Sequence, residues 1–368
     1  MFYHFLPRFA DFHIIFNVFN YLTFRSAGAV VTSFVIAFLA GPRTIRWLRE
    51  LRVGQVVRTE GPETHLKKAG TPTMGGSLIV GSAAISTLLW AQLTNWYVVL
   101  AFLTLLWMGA IGFMDDYLKV VRNHPKGLIA FYKLVGQFSF GIALGLFLLF
   151  HPISPVQPTW TMVPFFDGWA AAFWPPAYVA FVSFIISGSA NAVNFTDGLD
   201  GLAAGLGAVA LATFGIFAYL IGRVDTSAYL GLFYLPGSGE LAVFAAALAG
   251  GAVGFLWFNA HPAEVFMGDT GSLALGGALA VLAILLKAEF LLAIVGGVFV
   301  AEALSVMLQM GWFKYTRRRT GEGKRLFLMA PVHHHFEKAG WSETKVVVRF
   351  WILGILCALV AFSTLKIR

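Results

Sequence analysis

The chain has 368 residues, of which 58% are hydrophobic and only 12% are charged. Soluble domains carry about a quarter charged residues, twice the fraction found here. Together with the mean hydropathy of +0.76, this composition excludes a soluble globular protein. The apolar runs are continuous rather than alternating, which excludes an outer-membrane β-barrel and predicts spanning helices. The net charge of +8 could suggest nucleic acid, but basic cytoplasmic loops explain it in a membrane protein, so no nucleic-acid partner is expected.

The predicted elements begin with an N-terminal segment, residues 1–23, which is aromatic, broken by charge and typical of the membrane interface. Ten apolar runs follow, so the chain is predicted to be an all-α, polytopic integral membrane protein with one transmembrane domain over residues 1–368. Pro175 and Pro176 interrupt the fifth run but are tolerated if they begin its helix. The predicted spans are 24–41, 73–93, 96–114, 132–150, 171–190, 202–222, 240–258, 270–287, 290–312 and 346–365.

The distribution of basic residues predicts the orientation. If the chain starts outside, the inner loops hold nineteen Lys and Arg residues and the other side, including both termini, holds six. By the positive-inside rule both termini lie outside the cytoplasm. Twelve of the eighteen carboxylates, including every compact polar motif, fall on the inner side. This distribution predicts an active site on the cytoplasmic loops.

The first motif in chain order is "AGTPTMGG", which precedes the second span and follows Lys67 and Lys68. Lysines commonly flank membrane helices, but backbone amides and hydroxyls in a glycine-rich run could also bind phosphate.

The second motif, "GFMDDYLK", ends the third span. Asp115 and Asp116 at a membrane boundary are costly unless water or a cation compensates them. The simpler interpretation is a solvated helix end, but acidic residues at the C-terminus of a helix oppose its dipole. A functional role for the two aspartates is therefore favoured over a solvated helix end. Lys119, one turn on, could pair with Asp115 or bind phosphate.

The third motif, "NAVNFTDGLDGLA", places Asn191, Asn194, Asp197 and Asp200 at intervals of three. On a helix they would share one face, and in a loop Asp200 could cap the next helix. Capping explains one or two of these residues rather than four. The spacing therefore favours a site for a polar ligand or a cation.

The fourth motif, "NAHPAEVFMGDTGS", places Asp269 between glycines at the start of the eighth span. Asp269 could be an N-cap or a carboxylate available to Mg²⁺, which prefers oxygen ligands. Phe266 could stack on a base or simply pack.

The last inner loop, residues 313–345, combines a basic run with "PVHHHFE". Three consecutive histidines cannot readily converge on one tetrahedral zinc ion. A phosphate-binding or proton-transferring role is favoured over a plain surface turn. Carboxylates, lysines and histidines at one membrane face are together typical of phosphoryl transfer to a lipid-borne substrate.

These five motifs, in this order and between spans of matching number, resemble the bacterial phospho-N-acetylmuramoyl-pentapeptide transferase family, within the polyprenyl-phosphate hexose-1-phosphate transferases. The resemblance extends from about residue 24 to 366. It implies transfer of phospho-MurNAc-pentapeptide from UDP-MurNAc-pentapeptide to undecaprenyl phosphate, giving lipid I and UMP. It also implies dependence on Mg²⁺, ten transmembrane helices, a homodimer and a location in the inner membrane.

The same resemblance implies roles for individual residues. Asp269 would be the Mg²⁺ ligand, and Asp115 would be the catalytic aspartate, with Asp116 beside it. Phe266 would stack on uracil. The matching histidine motif consists of His333, His334 and His335, of which the first two are expected to be catalytic. The other implied substrate-binding positions are Lys68, Thr73, Lys119, Lys133, Asn194, Asp197, Asp200 and Gln309.

Two rival functions stand beside this one, and only the second is of a different class. The nearer rival is an enzyme of the sister branch that uses UDP-N-acetylglucosamine, and the basic "PVHHHFE" loop matches the muramoyl branch better. The other is an ion-coupled secondary transporter, which would place acids in mid-span. Glu302 is the only acid predicted well inside a span, so the transporter is disfavoured.

Overall fold

The computed structural model describes residues 1–51, 70–122, 124, 127–166 and 169–366. These residues are overwhelmingly helical, which confirms the predicted all-α class. Short 3₁₀ turns cover Leu6–Phe9, Ile14–Asn20 and Ser238–Glu240, and strands β1 (Trp160–Met162) and β2 (Ala170–Ala172) form an antiparallel hairpin. The helices are α1 Phe2–Phe5, α2 Leu22–Glu50, α3 Gly76–Trp90, α4 Trp96–Val120, α5 Ala130–Phe150, α6 Pro175–Thr196, α7 Leu202–Ile221, α8 Val224–Tyr229, α9 Leu241–Asn259, α10 Gly268–Leu285, α11 Glu289–Val295, α12 Gly297–Thr320, α13 Val332–Lys338 and α14 Glu343–Ser363.

Each predicted span coincides with a helix or with a bent pair of helices. In the described part of the chain, eight helices are long and apolar enough to cross a membrane. The pair α11 and α12 makes nine if it counts as one span, although its halves are bent by 85°. Helix α3 has only 15 residues, fewer than the roughly 20 that a full crossing requires. The fifth span begins at Pro175 and Pro176, as the sequence predicts.

Several helices continue past the predicted ends of their spans. Helix α4 reaches Val120, so Asp115 and Asp116 lie in a helix rather than in a loop. The segment predicted as a loop over 313–345 is also partly helical, because α12 ends at Thr320 and α13 occupies Val332–Lys338. Continued helix keeps the backbone hydrogen bonds satisfied where the chain leaves the hydrocarbon region. The predicted loop site is therefore built largely from helix ends.

Helix α10 forms the centre of the bundle, and every residue from Thr270 to Leu285 is buried. Small residues allow this close packing. A Cβ atom on Gly277 would lie 2.5 Å from Met108 of α4, and one on Gly276 would lie 2.5 Å from the Ser189 carbonyl oxygen of α6. The N-terminus of α10 is thereby fixed between α4 and α6.

The connections between helices lie at two opposite ends of the bundle. At one end, Arg25 and Glu240 form a buried ion pair with a 2.6 Å contact, and Phe19 of the N-terminal segment stacks on Trp90. At the other end lie the C-terminal ends of α4, α6 and α9 and the beginnings of α10 and α14. The described polar motifs all lie at this second end.

Candidate active site

Backbone hydrogen bonds join the "TPTMGG" and "FMGDTGS" motifs at the start of α10. The Phe266 N–H donates to the Pro72 carbonyl oxygen at 2.8 Å. Gly268 has a φ of +73°, and a Cβ atom on it would lie 2.7 Å from Asp116 Oδ2 and 2.9 Å from Thr73 Oγ1. Since glycine alone fits this turn without strain, the motif glycine brings Thr73 and Asp116 to the first turn of α10.

Asp116 of α4 caps helix α10 from across the helix interface. Its Oδ1 accepts from the Asp269 N–H at 3.1 Å, and its Oδ2 accepts from the Thr270 N–H at 2.9 Å and the Thr270 hydroxyl at 2.6 Å. A carboxylate satisfies the open N–H groups of a helix N-terminus and is stabilised by the helix dipole. The cap that the sequence could assign to Asp269 is therefore supplied by Asp116, and the Asp269 side chain has other partners.

Asp269 and Asp115 share two lysines that come from different helices. Lys119 Nζ lies 3.1 Å from Asp269 Oδ2, and Lys133 Nζ lies 2.9 Å from Asp115 Oδ2. Each lysine also contacts the other carboxylate. Asp115 Oδ1 accepts from the Leu128 N–H at 2.7 Å. The two lysines partly neutralise two carboxylates that would otherwise repel each other at close range.

Asn194 and Asp197 bring the end of α6 to the same place. Asn194 Nδ2 donates to Asp269 Oδ1 and to Ser272 Oγ, both at 2.8 Å. Desolvation raises the pKa of Asp197 well above its usual range, and the negative charges of Asp269 and Asp116 add to the shift. The raised pKa indicates that Asp197 is shielded from water beside two other carboxylates.

The carboxylates of Asp115, Asp116 and Asp269 fit a divalent cation. Each offers an oxygen, and these oxygens all lie within 4.8 Å of one another. Hard cations such as Mg²⁺ take oxygen ligands and commonly use one or two carboxylates plus substrate phosphates. The oxygens of Asp116 are held by the first turn of α10, whereas those of Asp115 and Asp269 contact lysine ammonium groups that a cation could replace.

Asp200, the remaining predicted carboxylate, belongs to a second group with His261 and Glu343. Asp200 Oδ2 lies 3.0 Å from His261 Nδ1, and the Asp200 N–H donates to Glu343 Oε1 at 2.8 Å. Ligand atoms of these three residues also lie within 4.8 Å of one another. The sequence does not single out His261 or Glu343, since neither has a periodic spacing to Asp200. Glu343 is in the first turn of α14, so the group ties the last helix to the loop after α6.

The three histidines have three different environments. His333 is completely buried, and its Nδ1 lies 3.1 Å from Glu302 Oε2. His334 Nδ1 lies 2.7 Å from Glu337 Oε2. His335 Nδ1 accepts from the backbone N–H of Leu328 at 3.1 Å, so it holds the preceding loop. His334 keeps 12% of its side chain exposed, whereas the adjacent His333 has no exposed surface.

The other predicted site residues are placed as follows. Gln309 Oε1 accepts from the Phe327 N–H at 2.9 Å and so anchors the same loop as His335. Asn191 Nδ2 donates to Gln137 Oε1 at 2.7 Å, which fixes α6 against α5. None of its hydrogen bonds within the described residues reaches the three carboxylates. Phe266 is half-buried beside the start of α10, and Lys68 lies outside the described residues.

Two protein-family models match the parts of the chain that carry these motifs. A glycosyl transferase family 4 model matches residues 97–287, and a phospho-N-acetylmuramoyl-pentapeptide-transferase signature matches residues 68–80. The first range contains all five aspartates discussed above.

Several relatives align with the chain along nearly its whole length. The phospho-N-acetylmuramoyl-pentapeptide-transferase of Gemmatimonas aurantiaca is 55% identical over 96% of both chains. Those of Desulfotalea psychrophila and Thermodesulfovibrio yellowstonii are 52% and 50% identical over the whole of both chains. With this identity along its length, its helical bundle and its motifs, the chain belongs to the phospho-N-acetylmuramoyl-pentapeptide-transferase family.

Proposed function

We propose that this membrane transferase moves phospho-N-acetylmuramoyl-pentapeptide from UDP-MurNAc-pentapeptide to undecaprenyl phosphate, which yields lipid I and UMP. The observation that carries the proposal is the group of Asp115, Asp116 and Asp269 beside Lys119 and Lys133. Carboxylates that hold a divalent cation, next to lysines that can meet phosphate, are the equipment of phosphoryl transfer. The names of the full-length relatives support the muramoyl substrate.

Mg²⁺ is the cofactor in this proposal, with Asp269 as its principal ligand and Asp115 beside it. When bound, Mg²⁺ would neutralise the pyrophosphate of the nucleotide. Asp116 would hold the metal-binding turn in place, since its oxygens accept from the first N–H groups of α10. The proposal is supported by the three carboxylates, whose oxygens lie within 4.8 Å of one another.

The protein's own groups would position the substrates and move one proton. Lys119 and Lys133 would exchange carboxylate oxygens for phosphate oxygens when the nucleotide binds. Asp115 would accept the proton of the lipid phosphate, and an oxygen of that phosphate would attack the β-phosphorus of the nucleotide. A bond forms between that oxygen and the β-phosphorus, while the bond from the β-phosphorus to the bridging oxygen breaks. UMP leaves with the bridging oxygen.

The nucleoside part of the substrate would bind at the end of α6 and the start of α10. Asn194, Asp197 and Asp200 lie along this edge, and Phe266 is the candidate to stack on uracil. Thr73 lies against Gly268 at the same turn. Lys68 and Gln309 complete the set that the family motifs predict. His334 would contact a phosphate, because it is partly exposed while the adjacent His333 is buried.

The membrane orientation and the assembly belong to the same proposal. The site would face the cytoplasm of a bacterial inner membrane with both termini in the periplasm, which the count of nineteen inner basic residues against six outer ones supports. This face is where a soluble nucleotide and a membrane-borne lipid phosphate can meet. A homodimer is the expected assembly, and its mass in detergent would test that expectation.

One assay tests the reaction and its rivals. Purified protein with Mg²⁺ and undecaprenyl phosphate is given either UDP-MurNAc-pentapeptide or UDP-N-acetylglucosamine, and UMP is measured. Release of UMP from the muramoyl nucleotide alone is expected. Release from the other nucleotide alone would select the sister branch, and no release from either would overturn the proposal and reopen the transporter reading.

A second experiment separates direct attack from a covalent intermediate. Enzyme and labelled nucleotide are mixed without lipid acceptor and the reaction is quenched with acid. Direct attack predicts no labelled protein, because the nucleophile is missing. Stoichiometric labelling of the protein with release of UMP would show that an aspartate is the nucleophile.

A further inference from the structure

The sequence places Glu302 in mid-span, but the structure buries it against the histidine segment. Glu302 lies in the second turn of α12, just after the 85° bend from α11. Its Oε2 lies 3.1 Å from His333 Nδ1, and both residues are completely buried. Beyond the bend, this acid therefore lies beside an imidazole inside the protein. An ionisable group inside a span is ordinarily costly and paired, as it is here.

The other edge of His333 faces the loop that follows α6. A Cβ atom on Gly198 would collide with His333 Nε2 and would lie 3.3 Å from His334 Nε2. The rings of His333 and His334 contact edge to face, with centroids 4.1 Å apart. His333 therefore fills the space between α12 and the loop that carries Asp197 and Asp200. Gly198 is the residue that lets the imidazole come so close.

The pair is strongly constrained by its surroundings. Within the described residues, neither nitrogen of His333 and neither carboxylate oxygen of Glu302 has a well-aligned hydrogen-bonding partner, so the 3.1 Å approach of Nδ1 to Oε2 is the polar contact that joins the pair. A buried carboxylate without a donor is strongly unfavourable on general grounds. Nδ1 of His333 is the donor within reach, so the carboxylate selects the imidazole form that has hydrogen on Nδ1. The ring orientation is then set from α12, and Nε2 is directed at Gly198.

We propose that Glu302 is a positioning residue that acts through His333: it holds the imidazole between α12 and the Gly198 loop and so aligns His334 and Asp197 with the carboxylate group of Asp115, Asp116 and Asp269. This inference rests on the proposed transfer reaction. Neither Glu302 nor His333 needs to touch substrate in this role. The first of the three histidines is then an internal support, and the second meets the phosphates.

The test uses the full-length protein and the UMP-release assay. Glu302→Gln keeps the shape of the side chain and removes its charge, and we expect kcat/KM to fall about 10- to 100-fold, the usual effect of losing a group that orients a functional histidine. His333→Gln should cost at least as much. The double variant E302Q/H333Q should be no slower than H333Q alone, because one pair is lost in either case.

Glu289→Gln is the matched control, since Glu289 is a buried carboxylate on the other side of the bend, where it accepts from Thr161. E289Q and H333Q should combine additively. The Mg²⁺ dependence of E302Q should equal that of the wild type. Additive effects of E302Q and H333Q, or wild-type turnover by E302Q, would overturn the proposal.

A spectroscopic readout keeps this inference independent of the reaction. In protein labelled with ¹⁵N at the histidine ring nitrogens, the resonances lost in H333Q identify His333. Hydrogen on Nδ1 of His333 is expected in the wild type, with a changed signal in E302Q and an unchanged one in E289Q. An unprotonated Nδ1 in the wild type would refute the pair. If the wild type releases no UMP, the proposed reaction fails while this measurement still decides the role of Glu302.

Discussion

Two groups of carboxylates lie at the same end of the bundle and differ in what satisfies their oxygens. In the first, Asp115 and Asp269 meet the movable ammonium groups of Lys119 and Lys133. In the second, Glu343 accepts from the Asp200 N–H, and the Asp200 carboxylate accepts from the Ala263 N–H and lies beside His261. The first group can exchange its lysines for a cation and phosphates. The second is a closed set of contacts that fastens α14 to the loop after α6. Clustered acids alone therefore do not identify a catalytic centre, because their partners decide the role.

The largest expected effect is that of Asp269→Asn, which attacks the first group directly. The backbone N–H of residue 269 would still donate to Asp116, so the fold should persist, while the charge that holds Mg²⁺ is removed. We expect turnover to fall about 1000-fold, comparable with the loss of a key group that stabilises the transition state. UMP release and Mg²⁺ titration measure the effect.

His333→Gln and His334→Gln are the comparison variants, and they should lower turnover with Mg²⁺ binding largely intact. Lost Mg²⁺ binding in these two variants would instead make the histidines ligands.

Lys133→Met should have the next largest effect. Lys133 contacts both Asp115 and Asp269, and methionine keeps most of the apolar stem while removing the charge. If the lysine meets substrate phosphate, kcat/KM should fall about 100-fold, a typical loss for a buried charged contact. Steady-state kinetics with varied nucleotide measure the change. Unchanged kinetics would show that the two carboxylates do not depend on this lysine.

Asp116→Asn tests whether the middle aspartate acts mainly as a helix cap. Asparagine keeps one acceptor for the α10 N-terminus but loses the second oxygen and the charge. We expect the free energy of unfolding to fall by about 1 to 2 kcal/mol, together with roughly tenfold slower turnover because the Asp269 turn is less well held. The thermal midpoint in detergent and UMP release are measured on the same sample. A fully stable but inactive variant would assign Asp116 to the chemistry instead.

Glu343→Gln should have the smallest effect on turnover and so sharpens the contrast between the groups. Glutamine can still accept from the Asp200 N–H, so we expect less than about a threefold change in kcat/KM and a loss of about 1 kcal/mol in stability. Mg²⁺ stoichiometry, measured by titration, should be unchanged. A lost equivalent of Mg²⁺ would make the second group a metal site as well.

The sequence predicts the architecture well because the bilayer imposes it. A continuous apolar run of about 20 residues has few alternatives to a spanning helix, so each predicted span coincides with a helix or a helix pair. The alternation of spans also places Asp115, Asp197 and Asp269 at one end before any contact is known. The bend between α11 and α12 could not be predicted in this way, because "GG" at 296–297 permits several geometries and only packing selects one.

The sequence could not predict which role each of two neighbouring acids has. Nothing local distinguishes Asp115 from Asp116, yet one meets two lysines and the other caps a helix 150 residues away in the chain. His261, Glu302 and Glu343 carry no spacing signal, because their partners lie on other helices. A buried side chain takes its role from the nearest donor or acceptor, and tertiary packing decides which one that is.

By itself, then, the sequence determined the membrane-spanning helical class, the end of the bundle that holds the polar motifs and the family, because hydropathy and motif order are properties of the chain. Only the tertiary structure decided that Asp116 caps α10, that Asp200 is joined to His261 and Glu343, and that Glu302 faces His333. The Asp116 cap depends on close packing around α10, where glycines bring α4 and α6 against it. Contacts between distant segments arise from that packing, and no local pattern encodes them.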